Sequence, residues 1–438
     1  MKKVFKTIIT KILQAEASLV LKKYQPKIIG ITGSVGKTST KDALISVLGQ
    51  SLSVRGSEKS YNSSDFGVAL TVLGCHSAWH DLFGWFEIIL YGLVLIIFRK
   101  PYPEWLILEI GLEHPGEIKQ ILKWVKIDLA VITLLPEVPV HVEFFKSKDE
   151  VTNEKMLLAK AVSAGGQVFL NADDSNSLKF IPDLVGEIKT IGFAESADYR
   201  ALEPAIAYEE SSGQSRPAGL SFNLVHDDKN LAVKIKGVVG EHQIYPVLTA
   251  LAVGDKLGLK MIEMIGALDN YQAPAGRLRL IEGIKETMIL DDTYNASPVA
   301  VSAGLKTLAS FEGADRKIAV IGDMLQLGKH TVDSHKEIGY QLAEFCDLVI
   351  TVGLRAKFVD EALREKKFGE RKMKHFENSV EAGEYLQDKI KTGDLIFIKG
   401  SQGMRMEKVV EEIMAHPELK DKLLVRQEKE WQREQVSW

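Results

Sequence analysis

Cysteine is almost missing: Cys75 and Cys346 are the only two in 438 residues. Two thiols that far apart build neither a disulfide framework nor a cysteine zinc site, so a reducing, cytoplasmic setting is expected. Excess positive charge is missing too. Lys and Arg number 55 against 59 Asp and Glu, a net charge of −4, which disfavours nucleic acid as the main partner. Internal repeats and low-complexity stretches are absent from the sequence. Apolar residues at 45% and charged residues at 26% supply material for large cores and exclude global disorder. The length predicts two to four domains. Long apolar runs are scarce, with one exception at Leu82–Phe98, LFGWFEIILYGLVLIIF, interrupted by Glu87 alone. As a helix it would span about 26 Å, short of the roughly 30 Å hydrocarbon core. A carboxylate at mid-membrane adds ~2.5–3.5 kcal/mol against insertion.

The chain opens with MKKVFKTIITKILQAEASLVLKKY. Val4, Phe5, Ile8, Ile9, Ile12 and Leu13 recur at helical spacing, with Lys2, Lys3, Lys6 and Lys11 between them, which predicts a basic amphipathic helix. Lys11 interrupts the apolar core that a signal peptide needs. A helix packed on the body and a membrane-surface anchor both stay open, because basic amphipathic helices bind anionic lipid. After residues 1–27, strand and helix patterns alternate in two blocks, 28–272 and 273–438. The fold class expected is α/β: a central P-loop NTPase-like doubly wound domain, carrying an apolar insertion at about 76–103, then a Rossmann-like domain with a charged tail. Between about 195 and 240, alternation in LSFNLV and LAVKIKGVV predicts short antiparallel strands. Strands of the second block are expected in TMILDD, KIAVIGD, LVITVG and DLIFIKG.

The chemistry starts at Lys27–Thr32, an apolar strand followed by Gly33-Ser34-Val35-Gly36-Lys37-Thr38, which opens a helix. Backbone N–H groups of such a turn cradle phosphates. Lys37 would reach the β/γ-phosphates of a nucleotide and the Thr38 hydroxyl would ligate Mg²⁺. The pattern is the short G-x-x-G-K-T, with Ile31 where the longer form has glycine. A second apolar strand, Trp105–Leu108, ends in Glu109, and a carboxylate beside a phosphate loop suits Mg²⁺. His141 and Lys155 are not singled out by spacing.

TGSVGKTST, YNSSDFGV, LILEIGLEHPGEI, the His141 and Lys155 segment, FLNADD, GEHQIYPVLTALAVGDKLG, GRL, DDTYNASP, VIGDMLQLG and IKGSQGMRMEKVV follow one another in this order. Together they resemble the Mur ligase family over about residues 28–412. The resemblance implies a cytoplasmic, ATP- and Mg²⁺-dependent ligase of peptidoglycan precursor synthesis. Its implied substrates are a muramoyl peptide and D-alanyl-D-alanine, joined through an acyl phosphate. It implies that Gly33, Ser34, Val35, Gly36, Lys37, Thr38 and Ser39 bind ATP together with Arg277, Asp292, Tyr294 and Asn295. Thr38 and Glu109 would hold one Mg²⁺, with His141 and Lys155 serving a second ion. Lys155 falls where the family carries a carbamylated lysine, and Lys37, His141 and Lys155 form the implied catalytic set. Asn62, Asn295, Lys399 and Ser401 would face the substrates.

The chain also departs from the family pattern. Gln243, Pro246, Gln326 and Gln402 stand where the family usually has Asn, Asn, Glu and Arg. The stretch ahead of Ile28 is too short for the family's UDP-sugar domain. A Mur-type ligase with another acceptor, lipid-linked or non-UDP, therefore stays open, as does a non-catalytic nucleotide-binding scaffold at the membrane. A simple P-loop kinase or ATPase would leave the second block and Lys155 unexplained. Lys37 precedes Leu82–Phe98 and Glu109 follows it, and one nucleotide site needs both. A single crossing is therefore excluded, leaving a buried helix or one lying in the membrane interface. Residues 1–24 and 82–98 together would give a peripheral contact.

Overall fold

Near-continuous apolar runs such as KIIGIT and WLILE make strands that helices must cover on both faces. The computed structural model shows them so; it describes residues 3–57, 65–78, 81–137, 139, 142–211, 214–312, 314–428 and 431. The first sheet takes β1 (Lys27–Thr32), β2 (Val54–Gly56), β3 (Trp105–Glu109), β4 (Leu129–Ile132), β5 (Gln167–Asn171) and β6 (Glu187–Gly192). It continues with β7 (Tyr199–Ser211), β8 (Gln214–His226) and β9 (Lys229–Lys236). Their order is β2-β3-β1-β4-β5-β6-β7-β8-β9, parallel through β7 and antiparallel from β7 to β9. The last three are not short: β7 and β8 have 13 residues each. Two register shifts in their pairing break the simple alternation that marks strand length in a sequence.

Around this sheet lie α1 (Lys3–Tyr24), α2 (Lys37–Leu48), α3 (Asp65–Leu73), α4 (Leu82–Ile97), α5 (Glu117–Ile121), α6 (Lys148–Lys160), α7 (Ser175–Leu178), α8 (Ile244–Lys256) and α9 (Met261–Ala267). One face packs under α1, α3, α4, α5 and α6, the other under α2, α8 and α9. Strand β1 alternates between them, Ile28 facing the first core and Ile29 and Ile31 the second. Because β1 sits between β3 and β4, the sheet order reverses at its C-terminal end, the crevice where α/β sheets bind ligands.

The second sheet holds β10 (Arg279–Glu282), β11 (Met288–Asp292), β12 (Arg316–Gly322), β13 (Leu348–Val352), β14 (Met373–Phe376) and β15 (Asp394–Lys399). Their order is β10-β11-β15-β12-β13-β14, parallel except at β10. Edge strands β10 and β14 have four residues each, too few to show a periodicity. On one face lie α10 (Pro298–Ser310), α11 (Thr331–Ala343) and α12 (Lys357–Glu365). On the other lie α13 (Ser379–Lys389) and α14 (Glu407–Ile413). The charged tail forms a short helix, α15 (Lys420–Leu423), and residues 424–428 after it are not helical.

The apolar run becomes α4, but only one stripe of it is core. Trp85, Ile88, Gly92 and Leu95 turn inward, and α4 lies against α1. Lys23 clamps the pair: its Nζ donates to the carbonyls of Leu95 (2.8 Å), Ile96 (2.9 Å) and Phe98 (2.7 Å). The Tyr24 hydroxyl adds bonds to Leu95 and Phe98 carbonyls. Carbonyls at a helix C-terminus lack intrahelical donors, and a cation there also meets the negative end of the dipole. The outward face is apolar apart from the exposed Glu87: Phe83 is 78% and Ile97 68% exposed, and Phe86 and Leu90 lie between them. Ile8, Ile12 and Leu19 of α1 are exposed as well.

Between these helices Glu16 is buried, and among the described residues its Oε2 has no hydrogen-bond partner. A Cβ at Gly92 would come within 2.3 Å of that oxygen, so glycine makes the room. Burial pushes the Glu16 carboxyl up to about 7. The folded chain therefore keeps a proton that the unfolded chain releases above about 4.5, and stability falls as pH rises from there through 7. Glu16→Gln is expected to stabilise the fold at pH 8, on the order of 1–2 kcal/mol after allowing for residual hydration. Near pH 4 the gain should vanish. Thermal melts at both pH values check this, and an equal shift at both would refute it.

Candidate active site

The turn after β1 must bend without Cβ atoms. Gly33 has φ 144 and Gly36 has φ 90, and a Cβ on Gly33 would lie 1.9 Å from the Thr133 hydroxyl. Positive φ at both positions favours glycine. The loop is pinned to the neighbouring strand, Ser34 N–H donating to the Leu134 carbonyl at 2.8 Å. Lys37 begins α2 and reaches back to the Gly33 carbonyl at 3.0 Å. Thr38 is buried, and its hydroxyl lies 3.2 and 3.1 Å from the two oxygens of Glu109. Register explains the meeting: β1 and β3 are parallel neighbours with Ile31 opposite Glu109. Burial lowers the Lys37 ammonium, against the pull of Glu109.

Lys155 projects from α6, whose N-cap Ser147 accepts from Glu150 N–H. It is 3% exposed, and its Nζ stands 2.7 Å from the Ser34 hydroxyl. Burial first and the Lys37 charge second hold this amine well below the usual lysine range. His141 and Asn62 lie outside the described residues.

The second sheet brings its loops to the same crevice. Arg277 stacks on Tyr294, guanidinium carbon 4.0 Å from the ring centre, and among the described residues its buried Nε has no partner. Asp292 ends β11 and Lys399 ends β15, opposite each other in register. The Lys399 ammonium pairs with Asp292 at 2.6 Å and also binds the Asn295 carbonyl at 2.8 Å. It is 1% exposed, so in this structure Lys399 tethers the Asp292–Asn295 loop. Ser401 is buried and accepts from Leu325 N–H at 2.8 Å. The Asn295 side chain accepts from Ala296 N–H.

Some of the residues gathered here were not singled out from the sequence. A cavity of about 140 Å³ is lined by Gly36, Ser39, Asn171, His242, Arg277 and Lys399, among others. Burial pushes the His242 imidazole down to about 4, so it is neutral at pH 7. Asp291 accepts from Thr293 O–H, Thr293 N–H and Gly276 N–H, tying the loop to the start of the second block. Burial lifts its carboxyl to about 6. The Asp-Asp doublet was the available hint for Asp291. For His242 and Asn171 the hint was their place in GEHQIYP and FLNADD.

The crevice thus offers a glycine turn at a helix N-terminus, a hydroxyl–carboxylate pair, a buried amine held well below the usual lysine range and a stacked arginine. Comparison with known proteins gives the family. The Mur ligase middle domain matches residues 31–254, and the Mur ligase glutamate ligase domain matches 276–402. UDP-N-acetylmuramoyl-tripeptide–D-alanyl-D-alanine ligase of Bacillus subtilis is 27% identical, covering 92% of this chain and 79% of its own. In fold, the chain is similar to MurF from Acinetobacter baumannii, with a TM-score of 0.73, 24% identity, and 91% and 79% of the two chains covered. MurF from Thermotoga maritima in complex with ADP gives a TM-score of 0.72 at 22% identity, covering 92% and 83%. The chain belongs to the Mur ligase family.

Proposed function

We propose that the chain is an ATP- and Mg²⁺-dependent amide ligase that adds D-alanyl-D-alanine to a muramoyl tripeptide. The observation that carries this reading is the crevice itself, where the phosphate loop with Thr38 and Glu109 faces Arg277 and Tyr294 from the second sheet. ATP is assigned to the loop, its nucleoside to the cavity beside His242 and Asn171. The buried hydroxyl and carboxylate of Thr38 and Glu109 are the hard oxygen donors that Mg²⁺ selects. Among the described residues no cluster of three or more His, Cys, Asp or Glu could hold a metal, so phosphate oxygens and water would complete the shell. Bound there, Mg²⁺ would neutralise charge on the phosphates.

The chain's own residues do the rest. Loop N–H groups and Lys37 hold the phosphates, and Arg277 places a second fixed charge on the transferred group. A substrate carboxylate oxygen takes the γ-phosphoryl group as ADP leaves, and the amine of the dipeptide then attacks the acyl carbon, gives up a proton to solvent and expels phosphate to form the amide. Closing the second sheet's loops over the crevice keeps water from the acyl phosphate. Phosphate release, assayed with muramoyl tripeptide and D-alanyl-D-alanine each omitted in turn, tests the reading. Release that needs both and yields the pentapeptide is expected; release with neither, or with a different acceptor only, would replace it.

We also infer a place of work: α1 and α4 dock on an anionic membrane surface. Among the described residues no helix is long and apolar enough to cross a membrane, and α4, with 16 residues, would span only about 24 Å. Its outward face is nonetheless apolar at every exposed position from Leu82 to Phe98 except Glu87, and contiguous exposed apolar side chains mark an interaction surface. Charge selects the occupant: residues 1–24 carry six lysines against one glutamate, and Arg99 and Lys100 follow α4, while the whole chain is net negative. Two anchors hold where one does not. Full-length protein is expected to float with vesicles containing phosphatidylglycerol and to stay behind with neutral ones. Phe83→Ser with Phe86→Ser should abolish flotation. Protein that stays soluble at low salt, or a dimer that hides this face, would overturn the docking.

A further inference from the structure

The first sheet ends at β2, and a small cavity sits between that edge strand and α3, outside the crevice. Its volume is about 130 Å³. Ligand sites usually begin at roughly 300 Å³, so a nucleoside or a sugar does not fit and a group of a few heavy atoms does. Arg55, Ser57, Thr71, Gly74 and Cys75 are among its lining residues. Arg55 and Ser57 are two positions apart, so an extended chain turns both side chains to one face, here the face under α3.

The Arg55 guanidinium lies over the Tyr102 ring at 4.9 Å, and that ring stacks on Tyr24 of α1 at 4.5 Å. Gly74 leaves the space for it, since a Cβ there would come within 2.8 Å of the guanidinium carbon. Among the described residues the guanidinium makes one hydrogen bond, to the Val72 carbonyl at 3.1 Å, and it has five donors. Ser57 is held by its backbone. Its carbonyl accepts from the buried Lys41 ammonium at 2.7 Å, and its N–H donates to the Ile107 carbonyl. The residue is 4% exposed, and its hydroxyl has no partner among the described residues. A buried hydroxyl left so costs free energy that a ligand would restore. Asp42 answers the Lys41 charge at 3.0 Å. No carboxylate is among the described residues that line the cavity, and burial pushes the Cys75 thiol up to about 11, which keeps it neutral at pH 7. The cavity thus holds an uncommitted cation, an uncommitted hydroxyl and no anion.

We propose that this cavity binds a phosphate group, with Arg55 and Ser57 as its donors. A guanidinium fork matches two phosphate oxygens, and the Ser57 hydroxyl would donate to a third. No residue of the phosphate loop or of the second sheet lines the cavity, so binding there is independent of the ligase reading. Two sources carry such a group: free inorganic phosphate and the phosphomonoester head of a lipid. The neighbourhood favours the lipid. Arg55 is one stacked ring pair away from α1, and the Tyr24 hydroxyl of that pair bonds to the Leu95 and Phe98 carbonyls at the end of α4. The cavity therefore adjoins the helix pair assigned to the membrane surface. A monoester, at about −1.5 to −2 charges, would be held more tightly than the singly charged diester of phosphatidylglycerol.

Phosphate would also enter a nucleotide site, so binding is measured with that site filled. Calorimetry on the full chain, holding Mg²⁺ and a non-hydrolysable ATP analogue, is expected to show a single site for inorganic phosphate. Arg55→Gln should weaken it at least tenfold and Ser57→Ala several-fold, while nucleotide affinity stays within twofold. Ser57→Ala removes a hydroxyl without a partner, so its melting temperature in the absence of phosphate should not fall. The rise that phosphate gives the wild type should shrink in that variant. Flotation separates the two sources, comparing vesicles that carry phosphatidic acid with vesicles that carry phosphatidylglycerol at equal surface charge. A wild-type preference for phosphatidic acid of at least fivefold, lost in Arg55→Gln and suppressed by inorganic phosphate, assigns the lipid. Phosphate binding without that preference keeps the cavity and assigns the free ion. A wild type with neither phosphate binding nor the preference overturns the proposal, even if no variant folds. So does phosphate binding that Arg55→Gln and Ser57→Ala leave unchanged.

Discussion

Lys37→Ala is expected to lose ATP-dependent phosphate release by on the order of 10²–10³-fold, the cost of removing one fixed donor to a developing charge. The side chain begins α2 immediately after Gly36 and folds back onto the Gly33 carbonyl. Its ammonium therefore sits inside the loop that would wrap the phosphates. Burial lowers its pKa while Glu109 opposes the shift, so a bound triphosphate would favour the charged form further. Arg277 is the other cation near it, but it is stacked on Tyr294 and cannot follow the loop. The fold should survive the change, since the lost bond is to a single carbonyl. Phosphate release and amide formation, measured together with the melting temperature, check the outcome. Activity within tenfold of wild type in a folded variant would remove Lys37 from the phosphate site.

How much of this was legible depends on how local each feature is. The phosphate loop is a strand, a glycine turn and a helix in succession, so periodicity and two glycines announce it. Glu109 reads only as a strand end; that it meets Thr38 depends on β3 lying beside β1, a pairing across more than seventy residues. The α1–α4 contact is similarly remote. The first helix reads as basic and amphipathic and the second as apolar, but the Lys23 clamp on the α4 carbonyls has no signature, because a lysine near a helix end is usually solvated. Lys399 shows a role the motif does not announce. The resemblance points it at substrate, and its register opposite Asp292 adds the tether of a loop. The tail reads as charge alone, since Arg426 becomes part of the crevice only after the chain turns back through α15. Resemblance to a family supplied roles for the ordered motifs, whereas the tail lies beyond them.

Lys155→Ala is expected to be impaired by on the order of 10²-fold or more, and partly restored by formate or acetate. The reason is the state of the amine. An ordinary lysine, with a pKa near 10.4, is protonated at pH 7 and cannot attack CO₂. Lys155 is buried against Ser34, with the Lys37 charge nearby, and both effects favour the neutral form. Its lone pair is then free to add to CO₂, forming an N–C bond and releasing a proton to solvent. The product is an anion in place of an amine, next to Ser34 of the loop that would hold the phosphates and Mg²⁺. A short carboxylate diffusing into the space left by alanine would return that negative charge, though not its attachment. Alanine alone also removes the bond to Ser34, so rescue, rather than loss, separates the carbamate from a merely structural amine. Wild type incubated with ¹³C-bicarbonate, nucleotide and Mg²⁺ should show a carbamate carbon resonance that Lys155→Ala lacks. No such resonance, together with no rescue by either carboxylate, would leave Lys155 as an unmodified buried amine.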